Sequence, residues 1–196
     1  MKLLRITTLS IVGTLAASTL RAQSAQPFSV QFSALYAGLS GDAYDNFHAG
    51  PGFEAQLRYT HHSGFSFGAG YQYTSHEIDG VSSKGTLVGP FFEPRYTFEI
   101  RGHENLYPYA SLRLSSLKQK IDNQGYQTTA SGFTANAGGG LLIHLAPRAN
   151  LDIGATFGYT SFDDFVQVAG GQQTLVGKTG TGTAFVLRTG IAIGLF

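Results

Sequence analysis

Gly52-Phe53-Glu54-Ala55-Gln56-Leu57-Arg58-Tyr59-Thr60 alternates apolar and polar side chains without a break. After the short stretch His61-His62-Ser63-Gly64 the alternation resumes. Phe65, Phe67, Ala69, Tyr71 and Tyr73 are interleaved with Ser66, Gly68, Gly70, Gln72 and Thr74. Successive residues of a strand point to opposite faces, so a period of two gives each segment one apolar and one polar or small face. A four-residue connection makes the two segments an antiparallel pair. The same pattern returns at Leu151, Ile153, Ala155, Phe157 and Tyr159.

Outward from this hairpin, eight such segments can be placed, at about 27–39, 51–60, 65–75, 86–98, 107–118, 131–145, 149–161 and 181–195. Most reach the roughly 9–11 residues that a tilted strand needs to cross a bilayer, whereas globular strands more often run to about five or six. The connections alternate. Those near 40–50, 76–85, 119–130 and 162–180 are long and polar; those at 61–64 and 146–148 are tight. Long loops at one end and short turns at the other describe a transmembrane barrel. Closure is obligatory there, because lipid offers no partner to an exposed N–H or C=O. The expected fold is therefore all-β: an antiparallel up-and-down transmembrane β-barrel of about eight strands.

Composition agrees. Only 13% of the 196 residues are charged, while aromatics also make 13% and there are 26 glycines and no cysteine. Soluble domains carry about a quarter charged residues, so much of this surface is read as facing something other than water. Residues 1–22 read as a secretory signal peptide: Lys2 and Arg5, an apolar run from Ile6 to Leu20, and Ala22 as the last residue before cleavage. An N-terminal membrane anchor is the other reading of that run. The domain is then 23–196. Without Lys2, Arg5 and Arg21, the 13 basic residues fall to 10 against 12 acidic, a net charge of −2. The chain gives no reason to expect nucleic-acid binding.

Parity assigns the charges. With the apolar face toward lipid, Glu54, Arg58, Glu93, Arg95, Arg113, Asp152 and Arg188 point into the lumen, together with Gln31, Gln56, Gln72, Asn136 and His144. An eight-strand interior is just wide enough for side chains to fill it, and charges buried there must be paired. The expectation is an ion-pair network plugging the lumen; a polar channel lining is the alternative. Glycines at 68, 70, 138, 140, 154, 158, 190 and 194 leave room for the long side chains. On the lipid face, Tyr36, Phe53, Tyr73, Tyr159 and Phe185 fall near one interface and Phe28, Tyr59, Phe65 and Phe98 near the other.

The signal-peptide pattern, the eight period-two segments, the alternating loop lengths and the terminal Phe196 resemble the OmpA/OmpX-type small outer-membrane β-barrel family. The resemblance spans 23–196 and implies outer-membrane localisation, surrounding outer-membrane lipid, and recognition of the last strand by the barrel-assembly machinery. Here Ile191, Ile193 and Leu195 share one face and Phe196 falls on the other, one residue out of step with the family's terminal signal. The resemblance names no surface partner, and a monomer is expected.

Catalytic and ligand groups are sparse. His61-His62-Ser63 has the His-x-Ser spacing of outer-membrane lipid A deacylases, in which a histidine activates the serine and an acid orients the histidine. The triplet lies in a short turn, where a plain polar turn is the simpler reading. Asp163-Asp164 alone falls far short of a cation ligand set. With no phosphate loop, zinc spacing or paired-carboxylate pocket, no cofactor and no metal are expected. The expected role is non-enzymatic: envelope integrity or surface interaction through the loops, against a lipid-modifying enzyme or a narrow pore. Loop one, with Tyr44 and Phe47, and loop four, with Phe165, Val166, Val168, Leu175 and Val176 around Gly170-Gly171, are the candidate interaction segments. Loop four is read as a hairpin extending the seventh and eighth strands.

Overall fold

The computed structural model describes residues 27–80, 83–103, 105–123, 126–169, 172–177 and 180–195. The signal-peptide segment, Gly170-Gly171 and Phe196 lie outside them. Ten strands follow in order: β1 (Phe28–Ser40), β2 (Gly50–Thr60), β3 (Phe65–Glu77), β4 (Lys84–Thr97), β5 (Leu106–Asn123), β6 (Tyr126–Ala146), β7 (Ala149–Phe162), β8 (Phe165–Ala169), β9 (Gln172–Gly177) and β10 (Thr181–Gly194). Eight of them close a barrel. Sequence neighbours from β1 to β7 pair antiparallel in turn, and β10 pairs with both β7 and β1. β1 and β10 meet along twelve residue pairs, from Ser29↔Gly194 to Ser40↔Thr183, so the cylinder has no free edge. Both ends of the barrel chain lie at the short-turn end, where the Leu195 amide donates to the Phe28 carbonyl at 2.8 Å.

The alternation expected from sequence is the wall itself. Phe53, Leu57, Phe67, Ile153 and Phe157 stand exposed on the outside, while Glu54, Arg58, Ser66, Asp152 and Thr156 are buried inside. Aromatic pairs form toward both ends of the outer face. Phe53 stacks on Tyr73 at 5.3 Å near the long-loop end. Phe65, Tyr96 and Phe98 cluster at 4.7 and 5.0 Å near the short-turn end.

Three expectations about the long-loop end need correction. Residues 119–130 are not a long loop. β5 and β6 run on as a ladder through Ile121↔Thr128 to Asn123↔Tyr126. Gln119, Lys120 and Asp122 read as loop because they are polar, but a strand in water needs a paired backbone, not an apolar face. Loop four does not prolong β7 and β10. It forms a separate hairpin, β8 against β9, that leans on the far end of β6 through Gln127↔Val168 and Thr129↔Val166. Loop one is not a free surface loop. It turns inward through a short 3-10 turn, Asp42–Tyr44, which buries Ala43 and Tyr44. Gly41 makes this possible with φ 105°, and a Cβ there would lie 2.9 Å from the Gly182 Cα.

The sequence also divides the faces too cleanly. Leu35, Leu87, Phe91, Tyr109 and Leu117 are buried inside the cylinder despite being apolar or aromatic. They obey strand parity; only their chemistry disguises them.

Candidate functional site

The lumen is layered. At its middle all seven charged residues singled out above converge, none more than 5% exposed. β2 supplies Glu54 and Arg58, β4 Glu93 and Arg95, β5 Arg113, β7 Asp152 and β10 Arg188. Alternation carries each inward; shear between neighbouring strands brings them to one level.

Glu93 is the hub. Arg58 reaches one of its carboxylate oxygens at 2.6 Å and Arg95 reaches the same oxygen at 3.0 Å. Arg113 and Arg188 reach the other at 2.6 and 2.8 Å. Glu54 takes Arg113 at 2.5 Å and Arg188 at 3.4 Å. Asp152 takes Arg95 and the Gln31 amide, both at 2.9 Å. Three acids thus face four arginines in a space closed to bulk water, with every carboxylate bridging at least two arginines.

Sequence reasoning misses two members. The Tyr109 hydroxyl donates to Asp152 at 2.6 Å and accepts from Arg188 at 2.9 Å. The Arg95 guanidinium lies 3.8 Å over the Tyr109 ring, and that of Arg113 lies 4.0 Å over the Phe91 ring. An aromatic on a barrel strand invites assignment to the lipid face. Parity with Arg113 and Arg95 is the available signal. Gly140 and Gly154 make room for this tyrosine: a Cβ at either would clash with its hydroxyl.

Of the neutral residues expected inside, Gln31, Gln56 and Asn136 are buried and Gln72 touches Arg113 at 3.1 Å. His144 sits half-buried at the short-turn rim, bonded to Asn150 at 3.0 Å. A cavity of about 10 Å³ remains beside Leu35, Arg113, Gly154, Thr156 and Arg188, room for about one water.

Above the charges lies an apolar cap. Ala43 and Tyr44 from loop one pack on Leu87, Ala130 and Phe162, with Leu39, Phe47 and Phe165 around them. Tyr44 meets Phe162 edge-on at 5.7 Å. Loop one is also clasped to the end of β3 and the residues just after it. His48 donates its amide to the Glu77 carbonyl and Asp79 donates its amide to the Asn46 carbonyl, both at 2.9 Å, and the His48 ring pairs with Asp79 at 2.7 Å. The Asp79 hydrogen bond, and then its charge, raise the His48 pKa above the usual imidazole range. Below the charges, Tyr107 and Leu142 pack with the Tyr109 ring.

The His61-Ser63 pair does meet, with 2.8 Å between the His61 ring nitrogen and the Ser63 hydroxyl, in the turn between β2 and β3. The ring lies against that of His62, with 3.8 Å between centroids. Among the described residues no carboxylate hydrogen-bonds His61, so the group that would orient a catalytic base is missing. Among those residues no cluster of His, Asp or Glu with metal-binding geometry occurs.

A closed eight-strand cylinder with an apolar coat and a charged, filled interior matches one family over most of its length: the model of the outer membrane protein beta-barrel domain aligns with residues 7–189. The chain belongs to this family. Among solved structures, this family member resembles Neisserial surface protein A (NspA), with a TM-score of 0.60 and 19% identity over 86% of this chain and 97% of that one. It also resembles Ail, the attachment invasion locus protein of Yersinia pestis, at TM-score 0.50 and 14% identity over 84% and 97%. A major outer membrane protein from Thermus thermophilus follows the same course, at 0.51 and 15% over 86% and 98%. At these identities the likeness is one of fold. No curated protein sequence matches. The family places the barrel in an outer membrane.

Proposed function

We propose that this barrel is a non-enzymatic outer-membrane protein with a sealed lumen, acting in envelope integrity or at the cell surface through its long-loop end. The carrying observation is the Glu93-centred network: seven charged side chains from five strands, nowhere more than 5% exposed, with an apolar cap over them. Ions crossing this lumen would have to break several buried pairs at once, each costly to open. Short turns face the periplasm in such barrels and long loops face outward. The cap, the clasped loop one and the β8–β9 hairpin are then what the cell presents to its surroundings. The likeness to a surface protein and an attachment protein supports a role at that surface. Outer-membrane lipid and the barrel-assembly machinery are the expected partners, and a monomer the expected state.

Planar-bilayer recording of the refolded protein tests the sealed lumen. No steady openings are expected, and a sustained single-channel conductance would replace this reading with that of a narrow pore. The enzymatic rival has the His61–Ser63 hydrogen bond in its favour. That pair sits on the periplasmic side, away from the outer leaflet where lipid A lies. His61→Ala and Ser63→Ala are expected to leave lipid A acylation unchanged in cells.

A further inference from the structure

Three of the chain's six prolines lie along one seam of the barrel, that between β4 and β5. The Phe98 amide donates to the Pro108 carbonyl, and the Thr97 amide to the Gly64 carbonyl on the other side. Even-numbered residues of β4 therefore turn their amide edges toward β5. Pro90 and Pro94 are even-numbered, and the register Val88↔Lys118, Phe91↔Ser115, Phe92↔Leu114 and Arg95↔Ser111 sets them opposite Ser116 and Leu112. Pro108 stands opposite Phe98 on the same edge. Proline has no N–H. The carbonyls of Ser116, Leu112 and Phe98 thus lose their ladder donors at every second hydrogen-bonded pair. The pairing shows it: the β4–β5 register is interrupted at residues 89–90 and 93–94, whereas β3–β4 runs unbroken from Phe65↔Tyr96 to Glu77↔Lys84. Proline is rare inside sheets except at edges and bulges, and in lipid no water replaces the lost donors.

Glu93, Arg95 and Arg113 of the charged layer line the middle of this seam on the lumen side, with Arg113 and Glu93 paired across it at 2.6 Å, and the stretch above them is uncharged. Gly89, Phe91 and Ser115 line that upper stretch, and the Ser115 hydroxyl is buried without a hydrogen-bond partner. Leu87 and Leu117 lie just beyond Ser115 toward the apolar cap. We propose that the wall parts at the β4–β5 seam and admits an uncharged, lipid-dissolved molecule from the bilayer to this hydroxyl-bearing face of the upper lumen. The ion-pair layer beneath stays closed, so lateral entry does not require conduction.

The native chain has no cysteine, which makes a single thiol a clean reporter. Ser115→Cys places it behind the seam. Thr156→Cys places it inside the wall at β7, where the pairing with β6 and β10 is continuous. Both barrels are refolded in vesicles containing a long-chain N-alkylmaleimide. The Ser115→Cys thiol is expected to react about tenfold faster or more, since opening is easier where hydrogen bonds are missing. Adding Pro90→Val and Pro94→Val restores two donors, with side chains still facing lipid, and is expected to bring the rate down to that of Thr156→Cys. Equal rates at the two thiols, or no reaction at either, overturn the proposal, as does a rate that the valines leave unchanged. Should the valine variant fail to fold, amide exchange of the unaltered protein decides. Phe92 and Leu114 are expected to exchange about tenfold faster or more than Ala137 and Phe157, and uniform protection overturns the seam.

Discussion

Replacing Glu93 by glutamine tests the interior most directly. The substitution keeps the volume and removes one charge. Four arginines share that carboxylate in the unaltered protein, at 2.6, 3.0, 2.6 and 2.8 Å. Without it, four cations face Glu54 and Asp152 alone. The excess positive charge of the layer rises from one to two, in a space closed to bulk water. Breaking a buried pair by removing one partner typically costs about 3–5 kcal/mol. The upper part of that range is expected, because a side-chain amide offers one acceptor where two charged oxygens serve four donors. The assay is equilibrium urea unfolding of the refolded barrel in lipid vesicles, followed by far-UV circular dichroism. A second variant fixes the cause. Arg58→Met together with Glu93→Gln returns the excess to one, and is expected to recover about 2 kcal/mol of the loss, as coupled neighbours do. A Glu93→Gln barrel within about 1 kcal/mol of the unaltered protein would refute the reasoning, since that is the scale of solvated surface pairs. The lumen would then be wet and the pairs screened.

The outer face gives a second expectation: Leu57→Arg and Ile153→Arg, both exposed on the wall, should each cost about 2–4 kcal/mol near mid-membrane by the same unfolding measurement, and unchanged stability in both would invert the face assignment. Phe162 is fully buried in the cap, so Phe162→Ala should destabilise by about 3–5 kcal/mol, with faster amide exchange at Tyr44 and Phe47 as the local sign that the cap has loosened. Asp79 raises the pKa of His48 above 6.5, so the clasp is complete below pH 6.5 and weakens as pH rises through the raised value. Protection of the His48 and Asp79 amides, corrected for intrinsic exchange, should fall over that window. His48→Gln should flatten the profile, and a pH dependence that survives the substitution would assign it to another group.

How much of the molecule is legible in its sequence differs by layer. Eight of the strands, their direction and their faces follow from alternation, because a side-chain period of two leaves no freedom once one face is apolar. Glu54, Arg58, Glu93, Arg95, Arg113, Asp152 and Arg188 are assigned inward on that ground alone. Tyr109 and Phe91 escape it, because aromatic chemistry points outward while parity points inward. The outer ladder of β5 and β6 escapes for the converse reason, since polar strands above a membrane look like loops.

Local order along the chain thus determines which residues line the wall and which face each side chain takes, since that needs only the geometry of one strand. Which acid meets which arginine is a matter of register and shear among strands far apart in sequence: Arg188 reaches Glu54 across 134 residues and Glu93 across 95. The cap depends on a loop folding back onto β4, β6 and β7, and the weak seam on three prolines from two strands aligning on one edge. Such contacts exist only once the cylinder closes, so only the tertiary structure could decide them.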